Sequence, residues 1–231
     1  MRDSKRKQRG VPRAAVSGRL NAAPYPSGCL RLFEFRSPFD ASSPLGHLGR
    51  PMLTSRALLL PSVPTMLIDE QRGDFTEMIE AVAAAGERLA SEAPDVIVAL
   101  SARWMSNGPF HADDARSHKS VIDLPGFGVE PRYDCAGHRA IARELVGEAS
   151  RAGLRAACAR HGMDTGVSVP LHFLSRERRL PVVPLSISEG TREEHRAWGE
   201  SIRHTLHRRR ERIVFVVGGA LAFNLHAFNL R

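Results

Sequence analysis

Cysteine is scarce: the 231-residue chain has three, Cys29, Cys135 and Cys158. They are odd in number, scattered, and never in a CxxC pair. Neither a disulfide framework nor a zinc site is implied, and a reducing cytoplasm is the expected location. Long apolar runs are missing too, and nothing approaches the length that crosses a bilayer, so no membrane role is expected. The basic start MRDSKRKQRG lacks the apolar stretch that a secretory signal needs. Zinc-finger spacing and aromatic RNP-like strands are also absent. Their absence matters because the formal net charge is +8. The excess gathers at Arg2, Lys5, Arg6, Lys7, Arg9, Arg13 and Arg19, then at Arg176, Arg178 and Arg179, and at Arg208, Arg209 and Arg210. A basic tail and two basic surface turns account for it, so no specific nucleic-acid partner is expected. No internal repeat occurs.

What is present suits a globular α/β protein. Hydrophobic residues make up 42% and charged residues 25%, ordinary values for a domain with a packed core. Residues 1–51 differ from the rest. They are rich in Arg, Pro, Ser and Gly, show no sustained period, and hold one apolar cluster, RLFEFRSPF. They are expected to form a disordered basic extension, with Met52 as an alternative start. From Arg56 onward short apolar runs alternate with helical patterns. ALLLP (57–61), VIVAL (96–100), VVPLSI (182–187) and IVFVV (213–217) read as buried strands. Asp74 with Glu77 has capping-box spacing ahead of a helix with Phe75, Met78, Ile79, Val82 and Leu89 on one face. Ile141, Leu145 and Val146 mark another helix. Thr191 and Glu194 repeat the capping box before Trp198, Ile202 and Leu206. Residues 101–137 read as irregular. The expected fold is a single α/β domain over 52–231, with a central mostly parallel or mixed sheet and helices on both faces.

In such sheets ligands gather beyond the carboxyl ends of the strands. Four segments are expected there: Pro61-Ser62-Val63-Pro64, Ser101-Ala102-Arg103-Trp104, the 163–173 stretch with Asp164-Thr165-Gly166 and Val169-Pro170-Leu171, and Gly219-Ala220-Leu221-Ala222-Phe223. In order and character they resemble the motif loops of the class III, or LigB-type, extradiol ring-cleavage dioxygenases. The strand 181–187 and the stretch 126–138 resemble the branch near the aminophenol-cleaving enzymes. The resemblance spans about residues 56–231. It implies a scaffold on which two imidazoles and a carboxylate hold Fe(II), with a further histidine moving protons during opening of a catechol or aminophenol ring.

Ser62, Arg103, Thr165 and Phe223 stand where the resemblance places working histidines. The family's carboxylate ligand lies beyond the last motif, so the domain reads as truncated at its C-terminus. The resemblance therefore implies a chain without its own iron or other cofactor: a non-catalytic subunit or pseudo-enzyme. Its partner would be a catalytic dioxygenase subunit or a second copy of itself. An active enzyme with displaced ligands, or a module binding an aromatic acid on Arg103, are the alternatives. Arg103, Trp104, Asp164 and His172 are the candidate cleft residues, with Asp164 a candidate partner of Arg103. His111, Asp113, Asp114 and His118 could cluster on a metal, but a solvated loop is the preferred reading and no metal site is expected. His204 and His207 read as part of a basic exposed face. His138, His161 and His226 are candidates only by proximity to the motif loops.

Overall fold

The computed structural model describes residues 57–129 and 131–219. The expectations for residues 1–51, Phe223 and His226 lie outside the described residues. In chain order the elements are β1 (Ala57–Pro61), α1 (Thr65–Arg72), α2 (Glu77–Ser91), β2 (Val96–Ser106), β3 (Phe110–Asp113), β4 (Ser117–His118), β5 (Cys135–Ala136), α3 (Arg139–Arg151), β6 (Ala156–Ala159), α4 (Thr165–Leu174), β7 (Val182–Ser188), α5 (Arg192–His207) and β8 (Ile213–Gly219). Six strands form a mixed sheet in the order β1-β8-β2-β7-β3-β6. β1, β8, β2 and β7 run parallel, β3 opposes β7, and β6 runs parallel to β3. β4 and β5 form a separate two-stranded ribbon.

The alternation of side chains along the strands builds two cores, one on each face of the sheet. Ile97, Ala99, Val214 and Val216 face α1, α2 and α4, packing with Met66, Val82, Leu89 and Val167. Val96, Val98, Leu185 and Ile213 point the other way, into Ile141, Leu145, Trp198 and Ile202 of α3 and α5. Trp198 is 1% exposed and stacks on Phe110 at 5.4 Å between ring centroids. Burying each such side chain contributes about 1.5–3 kcal/mol. No helix among the described residues is long and apolar enough to cross a membrane.

The fold departs from the sequence expectations at several places. Thr76, not Asp74, caps α2, accepting from the Ile79 amide. Phe75 therefore precedes the helix and is 62% exposed rather than on its buried face. The stretch 101–137 is not wholly irregular, since β2 continues to Ser106 and β3, β4 and β5 follow. Finally, the 163–173 stretch is a helix rather than a loop, N-capped by Asp164, whose side chain accepts from the Val167 amide. Pro170 sits inside that helix and leaves the Gly166 carbonyl without its usual i+4 donor. That carbonyl lies against Gly218 of β8, where any Cβ would come within 1.6 Å of it. Glycine at 218 is thus needed for α4 to sit on the sheet at this point. The capping box of α5 forms as its spacing indicates, with Thr191 and Glu194 exchanging side-chain and backbone hydrogen bonds.

Candidate functional site

The register of the parallel strands puts their carboxyl ends side by side. Pro61 pairs with Gly219, and Gly218 pairs with Ser101. Ser62, one residue beyond β1, is buried at this edge. With one strand between β1 and β2, it stands roughly 10 Å from the end of the VIVAL run. The N-terminus of α4 arrives at the same edge, because Gly166 packs directly on Ser101. A Cβ at 166 would meet the Ser101 hydroxyl at 2.1 Å.

Ser101 is the hub of this edge. Between Ser101 and Met105 the β2–β7 register shifts, so residues 102–104 leave the ladder as a bulge. Two amides freed by the bulge, those of Arg103 and Trp104, donate to Ser101 Oγ at 3.1 and 3.2 Å. The Ser101 hydroxyl in turn donates to the Asp164 carboxylate, 2.8 and 2.9 Å from its two oxygens. One donor and two acceptors are all a serine hydroxyl has, and here all are used. Asp164 also caps α4 and lies 3.3 Å from His161 Nε2. Both Ser101 and Asp164 are almost fully buried. They fix where the bulge and the helix meet.

Arg103 and Thr165 converge on a third residue, Asp123. Arg103 Nε donates to Asp123 Oδ2 at 2.7 Å. The Thr165 hydroxyl donates to the same oxygen at 3.0 Å, and the Thr165 amide donates to Oδ1 at 3.1 Å. Burial alone would raise the Asp123 pKa, but the Arg103 guanidinium and the two Thr165 donors outweigh it and hold it below the usual carboxylate range. The position at the head of α4 also favours an anion. Arg103 therefore pairs with Asp123, and the expectation that Asp164 would be its partner is corrected. Arg103 is already neutralised by a carboxylate of its own chain.

The other candidates separate. Trp104 stacks on His161 at 4.3 Å and on His111 at 5.8 Å, nearly parallel to each. Burial, then the neighbouring His161, pushes the His111 pKa down. His172 does not join the group. It lies seven residues along α4 from Thr165, about 10 Å of axial rise, and its Nε2 is 2.7 Å from Glu70 of α1 and 2.8 Å from Arg176. Burial, then Arg179, lowers its pKa.

The His111, Asp113, Asp114 and His118 loop also divides. Asp113 accepts from the amides of Ala115, His161 and Gly162 at 2.7–2.9 Å, with His118 Nδ1 at 3.6 Å. Burial raises the Asp113 pKa, but His118 and those amides outweigh it and bring it to about 2. Asp114 turns to Arg143 and Arg139 of α3. His138 caps α3, and His204 meets Glu148 on the α3–α5 surface. Among the described residues no group of three or more His, Cys, Asp or Glu side chains is placed to hold a metal ion.

Two residues at this edge were not singled out by the sequence. Ser101 was legible as part of the strand-end text, but its function in closing the bulge was not. Asp123 had no signal, because it lies in an aperiodic Asp-Leu-Pro-Gly stretch.

An open α/β sheet whose parallel strands bring their carboxyl ends to one edge defines the class of protein. Within that class, the sequence model for the catalytic LigB subunit of aromatic ring-opening dioxygenase matches residues 56–230, and the chain belongs to this family. Among solved structures, it is similar to the crystal structure of an uncharacterized protein from Escherichia coli K12, at 22% identity and a TM-score of 0.50. The match covers 64% of this chain and 55% of that one, and it shows a shared fold. Comparison with curated proteins gives no match.

The family's Fe(II) calls for neutral imidazole and carboxylate donors with open positions. The described residues standing at the family's expected ligand positions do not fit it. Ser62 and Thr165 offer neutral hydroxyls, Arg103 offers a permanent cation with no lone pair, and Asp123 is committed to Arg103 and Thr165.

Proposed function

We propose that this chain is a family member that keeps the dioxygenase scaffold and cleft without the iron-binding set, and that it serves as a non-catalytic subunit. Its partner is a catalytic relative of the same fold or further copies of itself, in the cytoplasm. The observation that supports this reading best is the Arg103–Asp123–Thr165 cluster. A guanidinium and its counter-carboxylate fill the strand-end position where the family reading calls for metal-binding imidazoles. A cation fixed there repels Fe(II) instead of ligating it. The same ion pair weakens the alternative of an aromatic-acid module, since Arg103 has no free charge to offer while Asp123 holds it.

Oxygen consumption tests the proposal. The full chain is supplied with Fe(II) and a panel of catechols and 2-aminophenols, alone and with a catalytic relative of intact histidines. The expected result is no uptake by this chain alone and co-elution with the relative, or self-association, on gel filtration. Sustained uptake by this chain alone would establish an active enzyme with displaced ligands.

A further inference from the structure

A groove away from the strand ends encloses about 640 Å³ between α2 and the segment that runs from the end of α4 to β7. Its floor is apolar and buried: Ile79, Leu89, Phe173, Leu174 and Leu180. Gly86 lets the two walls meet, since a Cβ there would lie 2.2 Å from the Leu174 carbonyl oxygen. On either side of that contact Ala83 and Ala90 are exposed and too short to fill the space. Phe75, 62% exposed, lines the same groove. Apolar surface of this kind, left open to water, marks a docking surface. The rim is charged. Glu70 is already paired with Arg176 and His172. Glu80, Glu87 and Glu177 are exposed and have no ion-pair partner among the described residues. Against these three stands one further cation, Arg178, whose charge acts on Asp95. A fitting occupant therefore carries apolar side chains and a net positive charge.

The chain itself supplies such a segment. Its whole excess of positive charge lies in residues 1–56, which hold eleven Lys and Arg against three Asp and Glu, whereas residues 57–231 hold 22 of each. The one apolar cluster of that basic stretch is RLFEFRSPF, residues 31–39, which lies outside the described residues. Leu32, Phe33, Phe35 and Phe39 alternate there with Arg31 and Arg36. The tether is long enough. Ala57 pairs with Phe215, which pairs with Val98, so β1 starts two strand spacings, about 10 Å, from β2. Pro94 and Leu180, at one end of the groove, stand two residues before β2 and β7 at the same edge of the sheet. Residues 40–56 can span roughly 55 Å when extended. We infer that residues 31–39 dock in this groove of their own chain, aromatic side chains inward and Arg31 and Arg36 against Glu80, Glu87 and Glu177. A tethered segment needs only modest affinity to stay docked. The contact is independent of the strand-end site, and its failure would leave the non-catalytic reading untouched.

Limited trypsin digestion of the full chain tests it, read as initial cleavage rates by mass spectrometry. Cleavage after Arg31 and Arg36 should be at least about tenfold slower than after Arg13 and Arg19 of the same basic stretch. Ala83→Arg fills the groove from an exposed position, and Phe35→Asp spoils the segment while leaving residues 57–231 as they are. Each should remove the difference. Ala84→Arg, exposed on α2 but outside the groove, should preserve it. Reversing the rim charge with Glu80→Lys and Glu87→Lys together should weaken the protection. Equal rates at all four arginines in the wild type would overturn the proposal and leave the groove to a separate partner. Full protection persisting in Ala83→Arg would overturn it too, because the segment then docks elsewhere. Protection that fades on dilution, with a dimer on gel filtration, would place the segment on a second copy and contradict the intramolecular contact.

Discussion

At the scale of single residues, carboxylates, two of them buried, do more to shape this site than any histidine. Asp164 ties the β2 bulge to α4 through Ser101, Asp123 ties Arg103 to Thr165, and Asp113 ties the 161–162 turn to β3 through backbone amides. Each spends its lone pairs on donors already in place, as the buried and ionised Asp113 and Asp164 must. Asp113 has the largest consequence for stability. Asp113→Asn keeps the shape but presents an NH₂ where an acceptor is needed. It should lower the unfolding free energy by about 2–4 kcal/mol in urea titrations monitored by tryptophan fluorescence. The pH dependence comes from its pKa of about 2, below the ordinary value of 3.8. Because the folded-state value is depressed, Asp113 contributes stability in full above about pH 4, and that stability is lost as pH falls towards 2. The wild type should therefore lose stability over that window, and Asp113→Asn should lose roughly 2 kcal/mol less. Parallel slopes for the two proteins would contradict the assignment.

At the scale of elements, the helices show what local chemistry decides. The α5 capping box was legible because its two partners, Thr191 and Glu194, are set by spacing alone. The α2 start departs from its spacing for a definite reason. Asp74 and Glu77 have the right separation, but the Asp69 and Glu70 carbonyls accept from Asp74 and Gly73 at the end of α1, which fixes Asp74 in the turn between helices. Thr76 is then the first residue free to turn into α2. Thr76→Ala should cost about 1 kcal/mol, whereas Asp74→Ala should change stability by less than about 0.5 kcal/mol, as read from thermal or urea melts. An equal loss in both would restore Asp74 as the cap. Helix α4 escaped the sequence for another reason: Pro170 and Gly166 both argue against a helix interior. Here Asp164 caps the helix, and close packing on Gly218 and Ser101 outweighs that local preference.

At the scale of the whole molecule, the sheet was readable and the site only partly so. The four apolar runs are strands because the sheet carries helices on both faces, and burial writes itself into composition. The strand-end text placed Ser62 and Arg103 at one edge because parallel topology delivers successive strand ends to the same side, whereas Thr165 reaches that edge at the head of α4, after β6, which runs against β2 and β7. β6 was missed because AACA is short and its strand is an edge of the sheet, with three of its four residues only half-buried. Asp123 was missed because its two partners lie 20 and 42 residues away in sequence, and no local pattern records such a meeting. The two faces of the sheet make the scaffold of the family, and the proposed non-catalytic reading rests on the ion pair at the strand ends.

That reading is tested most directly by equilibrium Fe(II) binding to the full chain under anaerobic conditions, with the iron retained after desalting quantified against protein. No stoichiometric iron is expected, in the wild type and in Arg103→Gln alike, since removing the cation supplies no imidazole. One tightly held iron per wild-type chain would contradict it.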